Sequence, residues 1–236
     1  YFNSTSNPYV SATRSAGATK VPANIARTPL TSGSDGNVTN NDWQTCFDAS
    51  AESDIQWIVP LSSSSTIWQL ADAHCVAQEA SGGIERTALV GGGLGLSVSQ
   101  ALTDAASLSS AMTAYCYPGV IVGGVTKPAY MTAAYIAGIL AGSSPGSTAT
   151  NKQVRVEGME KLIRKPSDTD ALQLGGVLTL FRNHDGSIVV NRANSTWTKD
   201  KKYNLVELSV RAAVIFTKRA VKEALTPFIG RKANPV

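Results

Sequence analysis

The stretch that most constrains this chain is Pro128–Gly142, inside the segment Lys127–Gly175. Tyr130, Ala133, Ala134, Ala137, Ile139, Leu140 and Ala141 make a mostly apolar helix, with Pro128 suited to its first turn and Gly142 to its end. So many Ala and Gly positions leave little side-chain bulk, and other elements can approach the backbone closely. Such a helix belongs in the middle of a fold. Ser143–Thr150 then breaks the chain, and an amphipathic segment with basic residues follows.

A chain of 236 residues can form one large domain or two small ones around a real core. Its 16% charged content is low, and with so much Ser, Thr, Ala and Gly it suits a surface covered by neighbours. A secreted or modestly soluble monomer would have the same composition. The net charge of +4 hides an asymmetry. Residues 1–126 carry four Lys/Arg against nine Asp/Glu, a balance of −5; residues 127–236 carry seventeen against eight, a balance of +9. Such a chain could attract copies of itself or an acidic partner. No basic run is interleaved with stacking aromatics, which speaks against nucleic acid.

Cys46, Cys75 and Cys116 are odd in number and widely spaced, so they read as reduced, buried thiols of a cytosolic protein rather than a disulfide framework. The chain opens at Tyr1 with neither an initiator Met nor a charged-then-apolar leader, and reads as a trimmed piece of a longer product. Its longest apolar stretch falls short of the roughly 20 residues that a membrane span needs, so no membrane role is expected.

Residues 1–40 read as an extended lead-in, with a tight turn at Leu30–Gly36. Thr39–Asp42 caps a helix carrying Trp43, Cys46, Phe47 and Ala51. Asp54–Leu61 reads as a buried strand, Thr66–Ala80 as a helix closed by Gly82-Gly83, and Arg86–Gly91 as the next strand. A small-residue helix at Ser97–Ser109 and strands at Met112–Tyr117 and Val120–Val122 complete three strand-helix alternations, which predict a parallel sheet. Val154–Ile163 reads as a helix or a helix-strand junction, and Asp168–Leu174 as a short helix. Gly176–Arg182 and Ser187–Arg192 flank Asn183-His-Asp-Gly186 as an antiparallel hairpin. Leu205–Leu225 reads as one long helix burying Val210, Val214, Val221, Ala224 and Leu225. The fold class is thus α/β followed by α+β: a three-layer-like α/β sheet with an antiparallel hairpin and a long C-terminal helix. Residues 1–40 lead in, 41–150 form the α/β half, and 151–236 the hairpin and long-helix half.

Little of this sequence carries catalytic chemistry. Gly91-Gly-Gly-Leu-Gly95 between strand and helix invites a dinucleotide-binding reading, but Val98 stands where a third glycine is needed and no acid ends a following strand. Gly142–Thr148 has the glycines and hydroxyls of a phosphate loop without its lysine, and it follows a helix. His74 lies mid-helix and His184 in the hairpin turn, no Cys or His pair has metal-ligand spacing, and Asp168 and Asp170 look like helix-start charges. No catalytic, cofactor or metal site is expected. Arg211, Ile215, Lys218 and Lys222 share one helical stripe, with Arg219 beside it and Arg231 and Lys232 after the helix. This is either a solvated face or a docking surface for an acidic partner.

The order of elements resembles the contractile tail sheath proteins of phage tails and related injection machines, over nearly the whole chain. The resemblance runs through the Leu30–Gly36 turn, the strand ending Val59-Pro60, Arg86-Thr-Ala-Leu-Val90, and the helix Tyr135-Ile-Ala-Gly-Ile-Leu-Ala-Gly142. It continues through Gly175-Gly-Val with its hairpin, Asn191-Arg-Ala-Asn-Ser-Thr-Trp-Thr198, the long helix, and Phe228-Ile-Gly-Arg231. Family members continue past that point, whereas only Arg231–Val236 follows here, so the resemblance implies one sheath core domain, 1–236, lacking its terminal linking arms.

The function so implied is mechanical and non-enzymatic. Subunits would stack as hexameric rings in a helical sheath around an inner tube, linked by strand addition, and contract to drive the tube through a target envelope during genome ejection. The implied partners are other copies of the chain, the inner tail tube protein, and baseplate and tail terminator proteins; nucleic acid and membrane are not among them. The implied place is the virion tail sheath, assembled in the host bacterial cytoplasm. By this resemblance the last helix faces the tube, giving Arg211, Lys218, Arg219, Lys222, Arg231 and Lys232 a partner. The competing expectation is an α/β nucleotide- or ligand-binding enzyme domain using the Gly91–Gly95 turn.

Overall fold

In the computed structural model the described residues are Gly17, 36–82 and 84–229. The chain divides into two units, Tyr1–Asn37 and Val38–Val236, and every element below belongs to the second. Apart from Gly36, the expected Leu30–Gly36 turn lies outside the described residues.

The Thr39 side chain accepts a hydrogen bond from Asp42 N while the Asp42 carboxylate receives Thr39 N in return, a reciprocal cap that starts α1 (Asn40–Ser50). The next strand is shorter than expected: within Asp54–Leu61 only β1 (Trp57–Ile58) pairs, alongside β2 (Thr87–Gly91). Helix α2 (Ser65–Ala80) links them. Ser97 and Gln100 form a second reciprocal cap at α3 (Val98–Leu108), which leads to β3 (Thr113–Tyr117). Strands β4 (Val120–Val122) and β5 (Val125–Lys127) form a hairpin that hydropathy did not announce, turning on Gly123 and Gly124. Both glycines have positive φ, and their N–H groups donate to the Glu157 carboxylate at 2.8 Å.

The Ala-rich stretch is α4 (Ala129–Ala141), with Pro128 and Gly142 as its caps. The segment Val154–Ile163, read as a helix or junction, is extended instead. Val154 N donates to Ile188 O, Glu157 N to Ile121 O and Glu160 N to Gly119 O, and β6 (Gly158–Met159) pairs with β4. Two sheet edges offer this segment backbone partners, and they outweigh its helical hydropathy. Helix α5 (Pro166–Leu174) then leads to the hairpin β7 (Val177–Arg182) and β8 (Ile188–Val190), whose turn is closed by Asp185 accepting from Ser187 N and Oγ.

The main sheet has the order β1-β2-β3-β7-β8, parallel through β7 and antiparallel at β8; β5-β4-β6 form a second sheet. Successive side chains of a strand point to opposite faces, and the core divides accordingly. Leu89, Ala114, Cys116 and Leu178 pack with Ala133, Ile136 and Leu140 of α4. Val90, Tyr115, Tyr117 and Val177 pack with Trp68, Ala101, Ala105 and Leu172 of α2, α3 and α5. The result is a mixed α/β fold with a parallel/antiparallel sheet and a C-terminal helix. The aromatic hydroxyls buried on the second face are satisfied: Tyr115 Oη donates to Asp104 at 2.8 Å and Tyr117 Oη to Leu96 O at 3.0 Å.

Residues Ala193–Thr196 are a buried polar strap that ties the two halves of the sequence together. Thr196 N donates to Thr113 O, while its hydroxyl accepts from Ser110 N at 2.9 Å and donates to Ser110 O at 3.0 Å. Ser195 Oγ donates to Leu205 O at 2.6 Å. The expected single helix Leu205–Leu225 is two: α6 (Tyr203–Val206) and α7 (Leu208–Leu225), separated by Glu207 in extended conformation. Arg192 donates to the Glu207 carboxylate through Nε and Nη2, which fixes the root of α7.

Candidate interaction surface

Helix α7 is rotated away from the face that its hydropathy predicts. Leu208, Arg211 and Ile215 are its buried residues; of the expected core face Val210, Val221, Ala224 and Leu225 are exposed and Val214 is half-buried. The correction has a physical cause. The ground under α7 is acidic, supplied by Asp54, Glu79 at the end of α2 and Glu85 before β2, and long basic side chains reach it where short aliphatic ones would not.

Arg211 is buried and pairs with Glu79, and its Nη2 also lies 3.0 Å from Met112 Sδ. Lys218 Nζ bridges Glu79 at 3.1 Å and Glu85 at 3.2 Å. Arg219 pairs with Asp54 at 2.8 Å and donates to Glu85 O, and Lys222 Nζ donates to Gly82 O. Burial alone would raise the Glu79 carboxyl, but hydrogen bonds from Arg211 and Lys218 outweigh it and hold the group below the usual Glu range. The same pairing raises Lys218, its bond to Glu79 first and that to Glu85 next. The structure therefore brings Arg211, Lys218, Arg219 and Lys222 together, all turned at least partly toward their own fold. Arg231 and Lys232 lie outside the described residues.

The two glycine loops are used for packing. A Cβ on Gly91 would collide with the backbone of Ala129 and Tyr130 at the start of α4. Gly95 N donates to Glu160 Oε1 at 2.5 Å and Gly119 N to Glu160 Oε2 at 3.2 Å, so a carboxylate of the same chain takes the loop N–H that a phosphate would need. Gly146 of the 142–148 loop, at φ +82°, faces Ala213 of α7, where a Cβ would come within 3.3 Å. Sequence reasoning had no signal for Glu160, which lies 65 residues from Gly95.

His74 is buried and stacks on Phe47 with ring centroids 5.8 Å apart. Desolvation, then the neighbouring Arg86, lowers its basicity. Fully buried Arg86 donates to Ile84 O, Ser50 O, Ala51 O and Ser53 O, organising the exit of α1. His184 is exposed in the hairpin turn, and Asp168 sits in the first turn of α5. The three cysteines are free; Cys75 and Cys116 are buried, with desolvation pushing the Cys75 thiol up to about 12, but Cys46 is exposed, contrary to expectation. It falls on the outer side of α1, where Phe47 is the buried residue. Among the described residues no three His, Cys, Asp or Glu could hold a metal ion, and no helix is long and apolar enough to cross a membrane.

This sheet, hairpin and C-terminal helix are the fold of sheath proteins. The sheath tail protein of Desulfitobacterium hafniense superposes on 91% of this chain and 50% of its own, with a TM-score of 0.74 and 17% identity. The contracted helical sheath of the anti-feeding prophage covers 83% of this chain and 54% of its own, with a TM-score of 0.61 and 16% identity. In sequence, the chain is 30% identical over 208 residues to the tail sheath protein of Bacillus phage SP01. It is a homologue of that phage tail sheath protein, and it has the fold of the sheath proteins of phage tails and contractile injection systems. The match covers 85% of this chain and 36% of the phage protein, so the chain spans about a third of that relative's length. No family model matches the chain.

Proposed function

We propose that this chain is the core of a structural and mechanical sheath subunit, one that polymerises as stacked hexameric rings around an inner tube and contracts to drive that tube through a target envelope. The observation that carries this reading is the joint likeness to sheath proteins in sequence and in fold. The role is non-enzymatic. Residues 1–236 act as one core domain, the α/β part as three layers and 1–40 as its lead-in. Its partners are other copies of the chain, the inner tube protein, the baseplate and the tail terminator; its place is the virion tail sheath, assembled in the host bacterial cytoplasm.

The tube-facing surface in this reading is the distal half of α7, with Lys218, Arg219, Lys222, Arg231 and Lys232. Arg211 is buried against Glu79 and serves that surface from behind. A contact made through charge pairs at a solvated interface is screened by salt and breakable, as a sliding interface must be.

Electron microscopy of the complete gene product, expressed alone and concentrated, tests the reading. Hollow striated tubes are expected, and dispersed monomers would overturn it. A thermal-shift panel of nucleotides tests the enzyme alternative on the same sample: the expected result is no stabilisation, because Glu160 already occupies the Gly95 N–H.

A further inference from the structure

Beyond its apolar root, α7 is held to the fold by its cations while its apolar residues remain exposed. Beyond Ile215, Phe216, Val221 and Leu225 are 56%, 50% and 55% exposed. Inward, the helix presents Lys218, Arg219 and Lys222 to Asp54, Glu79, Glu85 and Gly82 O. The root is held differently: Leu208 and Ile215 are buried, and Glu207 is pinned by Arg192.

The seam under the distal half is also imperfect. Among the described residues, the buried side-chain polar atoms without a partner are Glu85 Oε2, Arg211 Nε, Arg219 Nε and Asn194 Oδ1; Glu85 and Arg219 belong to this seam, and Arg211 borders it through Glu79. A buried polar network that is partly satisfied is weaker than an apolar contact of the same size. Beside it lies a cavity of about 260 Å³, lined in part by Trp57, Leu140, Pro145, Ile215, Phe216 and Arg219. Close packing is therefore absent where the helix leaves its apolar root.

We propose that the distal half of α7 is an electrostatically latched arm, held closed by Glu79 and Glu85 in cis and released when an acidic protein surface competes for Lys218 and Lys222. In the closed state Lys218 is bridged by Glu79 and Glu85, Arg219 is paired with Asp54, and Lys222 is held by Gly82 O. Releasing them costs ion pairs at a partly exposed seam and no large apolar area, so opening is local. The latch is a property of the isolated subunit. Its release by a partner deepens the tube-docking reading, and rests on it only for the identity of that partner.

The test is hydrogen exchange of residues 216–225, with residues 98–108 of α3 as the internal reference. In the double variant Glu79→Gln/Glu85→Gln, exchange of 216–225 is expected to rise by about tenfold or more while that of 98–108 stays within about twofold, the signature of local rather than global opening. The control Glu52→Gln/Asp170→Asn changes net charge equally at exposed sites and is expected to leave both regions unchanged. Binding to poly-L-glutamate at low salt is expected to tighten several-fold more in the latch variant than in this control. Equal exchange or equal affinity in the two variants would overturn the proposal.

If the latch variant does not fold, the wild-type protein supplies the answer. Raising salt from about 0.05 to 0.5 M cuts the screening length from about 14 to 4 Å and must selectively speed exchange of 216–225. Uniform or absent acceleration would overturn the latch. Tube formation seen by microscopy is a separate readout, so failure of the latch and failure of the sheath reading are distinguishable.

Discussion

At the scale of single residues, buried polar side chains decide the local geometry. Arg86 replaces the water that the last carbonyls of α1 would otherwise need, and His74 fills the gap between that helix exit and Phe47. The Arg86 guanidinium beside it and the loss of solvent favour neutral His74 in the folded state. The folded value thus lies below the ordinary 6.5, so the stabilisation is fully present above pH 6.5 and is lost as the pH falls through the folded value. Within that window the unfolded chain takes up a proton that the folded chain refuses, at a cost of up to about 1.4 kcal/mol per pH unit. His74→Gln removes this component. Melting curves across the window are expected to show a shallower loss of Tm for the variant than for wild type, and parallel curves would remove His74 from the account.

At the scale of elements, caps and turns behave as their residues dictate, while the buried face of a helix depends on what lies beneath it. Thr39–Asp42 and Ser97–Gln100 start their helices through side-chain bonds local to the sequence. Helix α7 has no such autonomy. Its stability rests on Leu208 and Ile215, so Leu208→Ala is expected to cost about 2–5 kcal/mol in denaturant unfolding. Leu225→Ala, on the face that hydropathy would have buried, is expected to stay within about 0.5 kcal/mol. Equal losses in the two variants would show that α7 is seated otherwise in solution.

At the scale of the whole molecule, the charge asymmetry between the two sequence halves is partly consumed inside one chain. Asp54, Glu79 and Glu85 of the acidic half meet Arg211, Lys218 and Arg219 of the basic half. The Ala193–Thr196 strap makes the second long-range tie, joining the start of β3 to the approach to α7. Thr196→Val would leave Ser110 N and O buried without this partner. Unfolding by denaturant is expected to lose about 1–3 kcal/mol while remaining a single cooperative transition. A separate early transition of the C-terminal part would show that the strap is dispensable for cooperativity.

What the sequence determined by itself was local: the Pro128–Gly142 helix, the two reciprocal caps, the hairpin at Asp185-Gly186, and the parallel alternation through β3. In each, residues within a few positions of one another supply the hydrogen bonds or the periodicity. The motifs that carried the sheath resemblance were legible for the same reason. Tertiary structure alone decided the extended path of Val154–Ile163, the Glu160 bond to Gly95 and the rotation of α7 onto its acidic seat. Each depends on a partner far away in the chain. Hydropathy places charges toward water unless a distant acid can reach them, and Glu79 lies 139 residues from Lys218.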